Sequence, residues 1–156
     1  MQISEYKNEG NGTECALEPI RPDTRRAAVA LLEQFRLPTA DLDASQVELI
    51  VATAASEVVG VVGLEVRGGD GLLRSLAVKE TARNQRVGRK LIDAVMSLGR
   101  ERQLKRLYLL TTTAADYFAR LGFAATARET VPEPVRATAE FTSLCPSTAA
   151  LMVREL

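Results

Sequence analysis

The sequence predicts an α/β (α+β) layered domain: a mixed, mostly antiparallel central sheet flanked by helices. Three observations lead there. Two stretches, Val47–Thr53 and the Val-rich Glu57–Val66, follow one another across the short turn Ala54–Ser56, as paired strands do. Two stretches, Asp23–Arg36 and Gln85–Arg102, repeat apolar residues every three or four positions, as amphipathic helices do. The elements also alternate along the chain: a strand, a helix, three strands, a helix, a strand, a helix, then one or two strands.

Each element has its own signal. Met1–Thr13 is polar, with Gly10, Asn11 and Gly12 in a row, so residues 1–14 read as a flexible arm ahead of a single domain spanning 15–156. Cys15–Arg21 is the first strand, with Ala16–Ile20 its apolar part. Pro22 and Asp23 mark a helix start, and Ala28, Leu31, Leu32 and Phe35 form the stripe that helix buries. Leu37, Pro38 and Thr39 end it, and Asp41 and Asp43 fall in a polar connection. The run VVGVVGLEV in the third strand is apolar without alternation, which implies burial on both faces. Gly68–Gly71, Asp70 included, reads as a turn into a fourth strand, Leu72–Val78, antiparallel to the third. By strand alternation Arg74 shares a face with Leu72, Leu76 and Val78, and Ser75 points to the other. Val87, Leu91, Val95 and Leu98 give the second helix one apolar face. Arg106–Thr112 is the fifth strand. Ala114–Leu121 is a short helix stopped by Gly122. Phe123–Arg128 reads as a strand, Pro132–Thr142 as containing a helical turn, and Ala149–Leu156 as the last strand.

Composition narrows the function. The 156 residues suit one domain, and 46% hydrophobic content supplies a core. Twenty basic and twenty acidic residues cancel, and aromatics are only 4% with no Trp. That balance gives no field for nucleic acid or a membrane surface and no base-stacking platform. The sequence shows neither a long apolar run nor a secretory leader, so a soluble cytoplasmic protein is expected. The complete absence of His excludes His-based triads and His-ligated zinc, and no metal site is expected. Any general base is then a carboxylate, Tyr, Lys, Cys or a water chain. Cys15 and Cys145 lie far apart in no CxxC pair and read as thiols.

The stretch Leu72–Lys90 concentrates chemistry. A strand, LLRSLAV, feeds a polar turn that opens a helix at RNQRVGRK. Helix starts present unpaired N–H groups and partial positive charge, and Arg83, Arg86, Arg89 and Lys90 crowd the same place. That combination suits a phosphorylated cofactor; a solvated basic first turn is the other reading.

Two separated segments, LLRSLAV…RNQRVGRKLI and YFARLGF, give the chain a resemblance to the GNAT acyltransferase superfamily. The first is similar to its acetyl-CoA motif, a strand ending in -AV followed by Q/R-x-x-G-x-G/A, and the second to its late helix ending in -LGF. The segments GVVGLE, LLRSLAV, LYLLTTTA, YFARLGF, TAEFTSLCPSTA and MVREL look like the arsenic-resistance N-acetyltransferase branch. The tail also resembles the catalytic domain of N-acetylglutamate synthase. The resemblance implies a sheet splayed between its fourth and fifth strands. It implies acetyl-CoA as cofactor, and a small anionic amino acid or analogue, arsinothricin-like or phosphinothricin-like, acetylated on its amino group by direct transfer. Pairing into a homodimer through C-terminal strands is also compatible with it.

Site residues follow from the same motifs. The resemblance implies that the backbone N–H of Leu76 polarises the thioester carbonyl, with Ala77 and Val78 continuing the contact. Arg83, Asn84, Gln85, Arg86, Val87, Gly88 and Arg89 would hold the pyrophosphate, and Thr113 and Phe118 would meet the cofactor. Two departures stand out: Arg86 replaces the first motif glycine, leaving Gly88, and Phe118 stands where many relatives carry the Tyr that protonates the thiolate. Glu65, ending the third strand, is the favoured general base, directly or through water. Arg74, a charge within an apolar strand, needs an anionic partner. That partner is either a bidentately clamped substrate anion or Glu65 in a structural ion pair. Ser75, Thr111, Thr112, Thr138, Glu140 and Cys145 are further acceptor-pocket candidates. Thr112 or Thr113 is also the expected helix cap, and Cys145 reads either as an arsenic(III) ligand or as a small core residue. A non-catalytic acyl-CoA-binding regulatory domain is the rival from another class. Acetylation of protein N-termini or lysines would need an open peptide groove.

Overall fold

The computed structural model describes residues 15–156, apart from the side chains of Asn84 and Gln85; the arm expected over 1–14 lies outside the described residues. The order is β1 (Ala16–Pro19), α1 (Pro22–Gln34), β2 (Glu48–Ala54), β3 (Glu57–Arg67), β4 (Asp70–Val78), a 3₁₀ turn (Glu80–Gln85) and α2 (Val87–Glu101). Then come β5 (Arg106–Thr111), α3 (Ala115–Arg120), β6 (Ala124–Ala125), α4 (Glu133–Arg136), a π turn (Glu140–Leu144) and β7 (Ala150–Glu155). The predicted elements are present and the sheet is mixed and mostly antiparallel. Its seven strands run in the order β1-β2-β3-β4-β5-β7-β6, with β4 and β5 the parallel pair.

The helices cover both faces. Val87, Leu91, Ile92, Val95 and Leu98 of α2 and Phe118 of α3 share one core with Ile50, Val62, Leu64, Leu73 and Leu107. On the opposite face Ala28, Leu31 and Leu32 of α1 pack on Val51, Val61 and Ala77, while Val135 of α4 packs with Leu72, Tyr108 and Leu151. β3 is buried on both faces, which its unbroken apolar run required.

Three expectations change. Phe123–Arg128 supplies only the two-residue strand β6; it lies at the sheet margin, where only β7 is available to pair with it. Asp70 is a buried residue of β4 rather than part of the turn, with Oδ1 unpartnered among the described residues. The third change matters most. The β3–β4 register runs Gly63↔Arg74 and then Val61↔Ala77, so β4 carries one extra residue. Ser75 sits there with φ +57°, a β-bulge. Parity along β4 therefore flips. Leu76 and Val78 turn to the α2 face, and Arg74 stays with Leu72 on the α1/α4 face.

Candidate functional site

β4 and β5 pair only over Asp70–Leu72 against Arg106–Tyr108. Beyond that the two strands part, as the splay expectation required, and the backbone edge of β4 from Leu73 onward has no partner on β5. A cleft of about 500 Å³ opens there, within the usual range of small-molecule sites. Arg74, Ser75 and Leu76 line it from β4, Thr111, Thr112, Thr113 and Phe118 from the β5–α3 side, and Glu140 and Cys145 from the π turn. Nine sequence candidates thus meet in one place. A larger depression, about 1010 Å³, lies beside α1 and the β2–β3 turn and contains none of them.

Arg74 is the centre of the cleft floor, and its side chain is fully buried. Its Nη1 reaches Asp41 Oδ2 at 2.5 Å and Glu65 Oε1 at 2.9 Å, and its Nη2 donates to Asp41 Oδ1 at 2.7 Å. Nε donates to Ser75 Oγ at 3.2 Å and lies 2.7 Å from Glu140 Oε2. Burial opposes the charge on Arg74, but the bonds to Asp41, the field of Glu140 and the bond to Glu65 outweigh it and hold the guanidinium above its ordinary pKa. The ion pair with Glu65 is therefore present, within a larger set. An open clamp is not, because the donors of Arg74 already bond Asp41, Glu65 and Ser75, and its Nε lies against Glu140. Glu65 is fully buried, is held by Arg74 and Arg67, and is not among the residues lining the cleft. Without contact to the cleft it lacks the access a general base needs.

Asp41 was a polar loop residue in the sequence, with nothing to link it to a partner 33 positions away. The bonds to Arg74 and Ser45 hold its carboxyl below the ordinary range, with burial opposing them. Glu140 shifts the other way. Burial raises its pKa, and the neighbouring Arg74 only partly offsets this. Cys145 donates its thiol to Glu140 Oε1 at 3.5 Å, and burial followed by the Glu140 charge pushes it up to about 12.

The remaining candidates separate. Thr111, rather than Thr112 or Thr113, accepts the Ala114 N–H at 3.0 Å at the start of α3. Thr138 is buried away from the cleft; its hydroxyl donates to Val135 O at 2.8 Å and accepts from Phe141 N at 3.3 Å. Arg36, also missed, lines the cleft mouth at φ +57° and has no ion pair among the described residues.

At the end of β4 the chain turns into α2, a helix of 15 residues. Arg86 takes the left-handed conformation, φ +57° and ψ +26°, the geometry a glycine provides without strain. A Cβ on Gly88 would come within 3.2 Å of Tyr117 Oη, so α3 closes down on this helix start. Phe118 is buried in the core and Tyr117 does not line the cleft. Arg86 and Arg89 are exposed, whereas Arg83 lies over the Phe35 ring and donates to Val78 O at 3.4 Å. Lys90 is a correction: its Nζ is buried, so it does not join the exposed cations.

The sequence matches the family described as "Acetyltransferase (GNAT) domain" over residues 45–125. The fold is similar to N-acetylglutamate synthase from Neisseria gonorrhoeae, solved with coenzyme A and N-acetyl-glutamate. There the TM-score is 0.76 at 19% identity, over 94% of this chain and 36% of the synthase. The chain thus spans little more than a third of that enzyme. It is also similar to Rv2747 from Mycobacterium tuberculosis, solved with CoA, with TM-score 0.77 at 23% identity over 90% of this chain and 99% of that one. A GNAT-family acetyltransferase from Staphylococcus aureus aligns at TM-score 0.73 and 17% identity, over 91% and 99% of the two chains. At these identities the likeness is one of fold.

Proposed function

This chain belongs to the GNAT acetyltransferase family, and from that premise we propose that it moves an acetyl group from acetyl-CoA directly to the amino group of a small anionic amino acid or analogue. Residues 15–156 would form its single catalytic domain, with 1–14 an arm outside it. The observation that carries this reading is the splay between β4 and β5, because it joins an open strand edge to a cleft floored by charge. The tail motifs favour acceptors of the arsinothricin or phosphinothricin kind, and the fold likeness to N-acetylglutamate synthase favours glutamate-like ones.

The residues present fit acetyl-CoA. The β4 edge at Leu76, Ala77 and Val78 can take an extended, amide-bearing arm as an added strand, with the Leu76 N–H toward the thioester carbonyl. The N-terminus of α2, with Val87, Gly88, Arg86 and Arg89, suits the phosphates, and the 3₁₀ turn carrying Arg83, Asn84 and Gln85 leads into it. Thr113 and Phe118 would form the facing wall. When bound, acetyl-CoA supplies the acetyl group as a thioester, open to attack by a neutral amine.

Cys145 is the one thiol on the cleft, and its high pKa keeps it protonated and a poor nucleophile. That supports direct transfer over an acetyl-enzyme. For the acceptor's anionic group the cleft offers Arg36, since Arg74 is occupied. Arg74 would act by holding Asp41 and Glu140 in place. A non-catalytic acyl-CoA-binding module is the second reading, favoured by Phe118 at the position where many relatives carry Tyr.

Thiol release from acetyl-CoA across a panel of anionic, neutral and basic amino acids tests this. Turnover is expected with α-amino acids bearing an anionic side chain. Acetyl-CoA should also raise the Tm, and Gly88→Leu should abolish that rise while leaving the protein folded. A cofactor-induced rise without turnover on any amine would favour the binding module.

A further inference from the structure

Among the described residues, the cleft floor is one positive charge short. Asp41, Glu65 and Glu140 bring three carboxylates, and Arg74 and Arg67 bring two guanidiniums. The shortfall falls on Glu140. Asp41 holds Arg74 through two bonds and Ser45 through a third, and Glu65 accepts one bond from Arg74 on Oε1 while its Oε2 lies 3.1 Å from Arg67 without a hydrogen bond. Among the described residues Glu140 alone of the three accepts no hydrogen bond from a guanidinium: its Oε1 has the weak Cys145 thiol, and its Oε2 lies 2.7 Å from Arg74 Nε without hydrogen-bond geometry. Of the three carboxylates, Glu140 is also the one lining the cleft.

We propose that Glu140 receives the acceptor's ammonium group and takes its proton. This rests on the acetyl-transfer reading above. An ammonium supplies the missing positive charge and a strong donor for the under-used Oε1. The Glu140 carboxylate then accepts one proton from the R–NH₃⁺ nitrogen. The nitrogen lone pair forms the new C–N bond, the C–S bond breaks with its electron pair on sulfur, and the second nitrogen proton ends on that sulfur. Glu140 returns its proton to solvent. The groups facing Glu140 favour this step. Burial raises its pKa most, Arg74 from β4 and the Cys145 thiol oppose this, and Asp41 from the α1–β2 connection and Glu65 from β3 add to the rise. The balance lies toward holding a proton, which brings the carboxyl closer to the operating pH of a general base.

The test is Glu140→Gln, assayed with the amino acid that the unsubstituted protein turns over best. The kcat is expected to fall about 100-fold or more. The acid limb set by the carboxyl should be replaced by a rise that continues to higher pH and follows the amine's own ionisation. Acceptor binding to CoA-saturated protein, followed by calorimetry, should weaken about tenfold, while the acetyl-CoA Tm shift is unchanged. A kcat within threefold of the parent, or an acid limb at the parent's position, overturns the assignment. If the Gln variant does not fold, Glu140→Asp carries the test. It should lose at least tenfold in kcat and keep the acid limb, and a parent-like kcat overturns the proposal. A parent that turns over while the variants match it defeats the role of Glu140 alone. A parent without turnover on any amine defeats the acetyl-transfer reading and this proposal with it.

Discussion

Asp41 and Glu140 touch the same guanidinium and are held in opposite ionisation regimes. Asp41 has a folded pKa below its unfolded one. It therefore adds stability that is fully present above the unfolded value and is lost as pH falls through the folded value. Asp41→Asn should lower stability at pH 7 by about 1–3 kcal/mol, the scale of a charge-assisted bond partly removed. That deficit should vanish on acidification. Glu140 has the reverse sign. Its raised folded pKa means stability is highest below the unfolded value and declines as pH rises through the folded one. Glu140→Gln mimics the protonated form, so it should match the parent near pH 4 and melt several degrees higher at pH 8. A lower Tm at pH 8 would contradict the raised pKa of this carboxylate. None of this was legible in the sequence beyond the need of Arg74 for an anion. Glu65 was foreseeable as its partner and Glu140 as a pocket residue by resemblance, whereas Asp41 arrives from a connection whose placement only the packed fold decides.

At the scale of elements, helices and strands were legible because their apolar residues keep the period their burial demands. The bulge was not. Ser75 carries no mark of its positive φ, and the extra residue reverses which side chains of β4 face α2. An alternation argument applied to Leu76 and Val78 therefore placed them on the wrong face. The start of α2 was better marked. Arg86 stands at a motif glycine position and adopts the left-handed backbone a glycine would accept freely. Arg86→Gly should relieve that backbone and raise stability by about 1 kcal/mol. It should also weaken acetyl-CoA binding several-fold by removing an exposed cation from the proposed phosphate site. Melting curves and a titration with acetyl-CoA separate the two effects, and a fall in Tm would show that the Arg side chain contributes more to the fold than its backbone costs.

At the scale of the molecule, the sheet is two half-sheets joined by a short parallel seam. β1–β4 with α1 and α2 occupy one continuous length of chain, and β5–β7 with α3 and α4 occupy the next. Three ladder positions, the core beneath α2, the cluster of Leu72 with Tyr108, Val135 and Leu151, and the Arg74–Glu140 contact connect them. Each half therefore has its own local hydrogen bonding, and the two need not open together. Amide hydrogen exchange without ligand should resolve two protection levels, one for β2–β4 and one for β5–β7. Acetyl-CoA should bring the two closer, because its proposed berth lies across the seam. A single common opening energy in the free protein would contradict this division. The connection Arg102–Lys105 then becomes the natural place to cut the chain. Two separately expressed fragments ending and beginning there should reassociate, and the ligand should act as the glue, so that complementation strengthens with acetyl-CoA concentration.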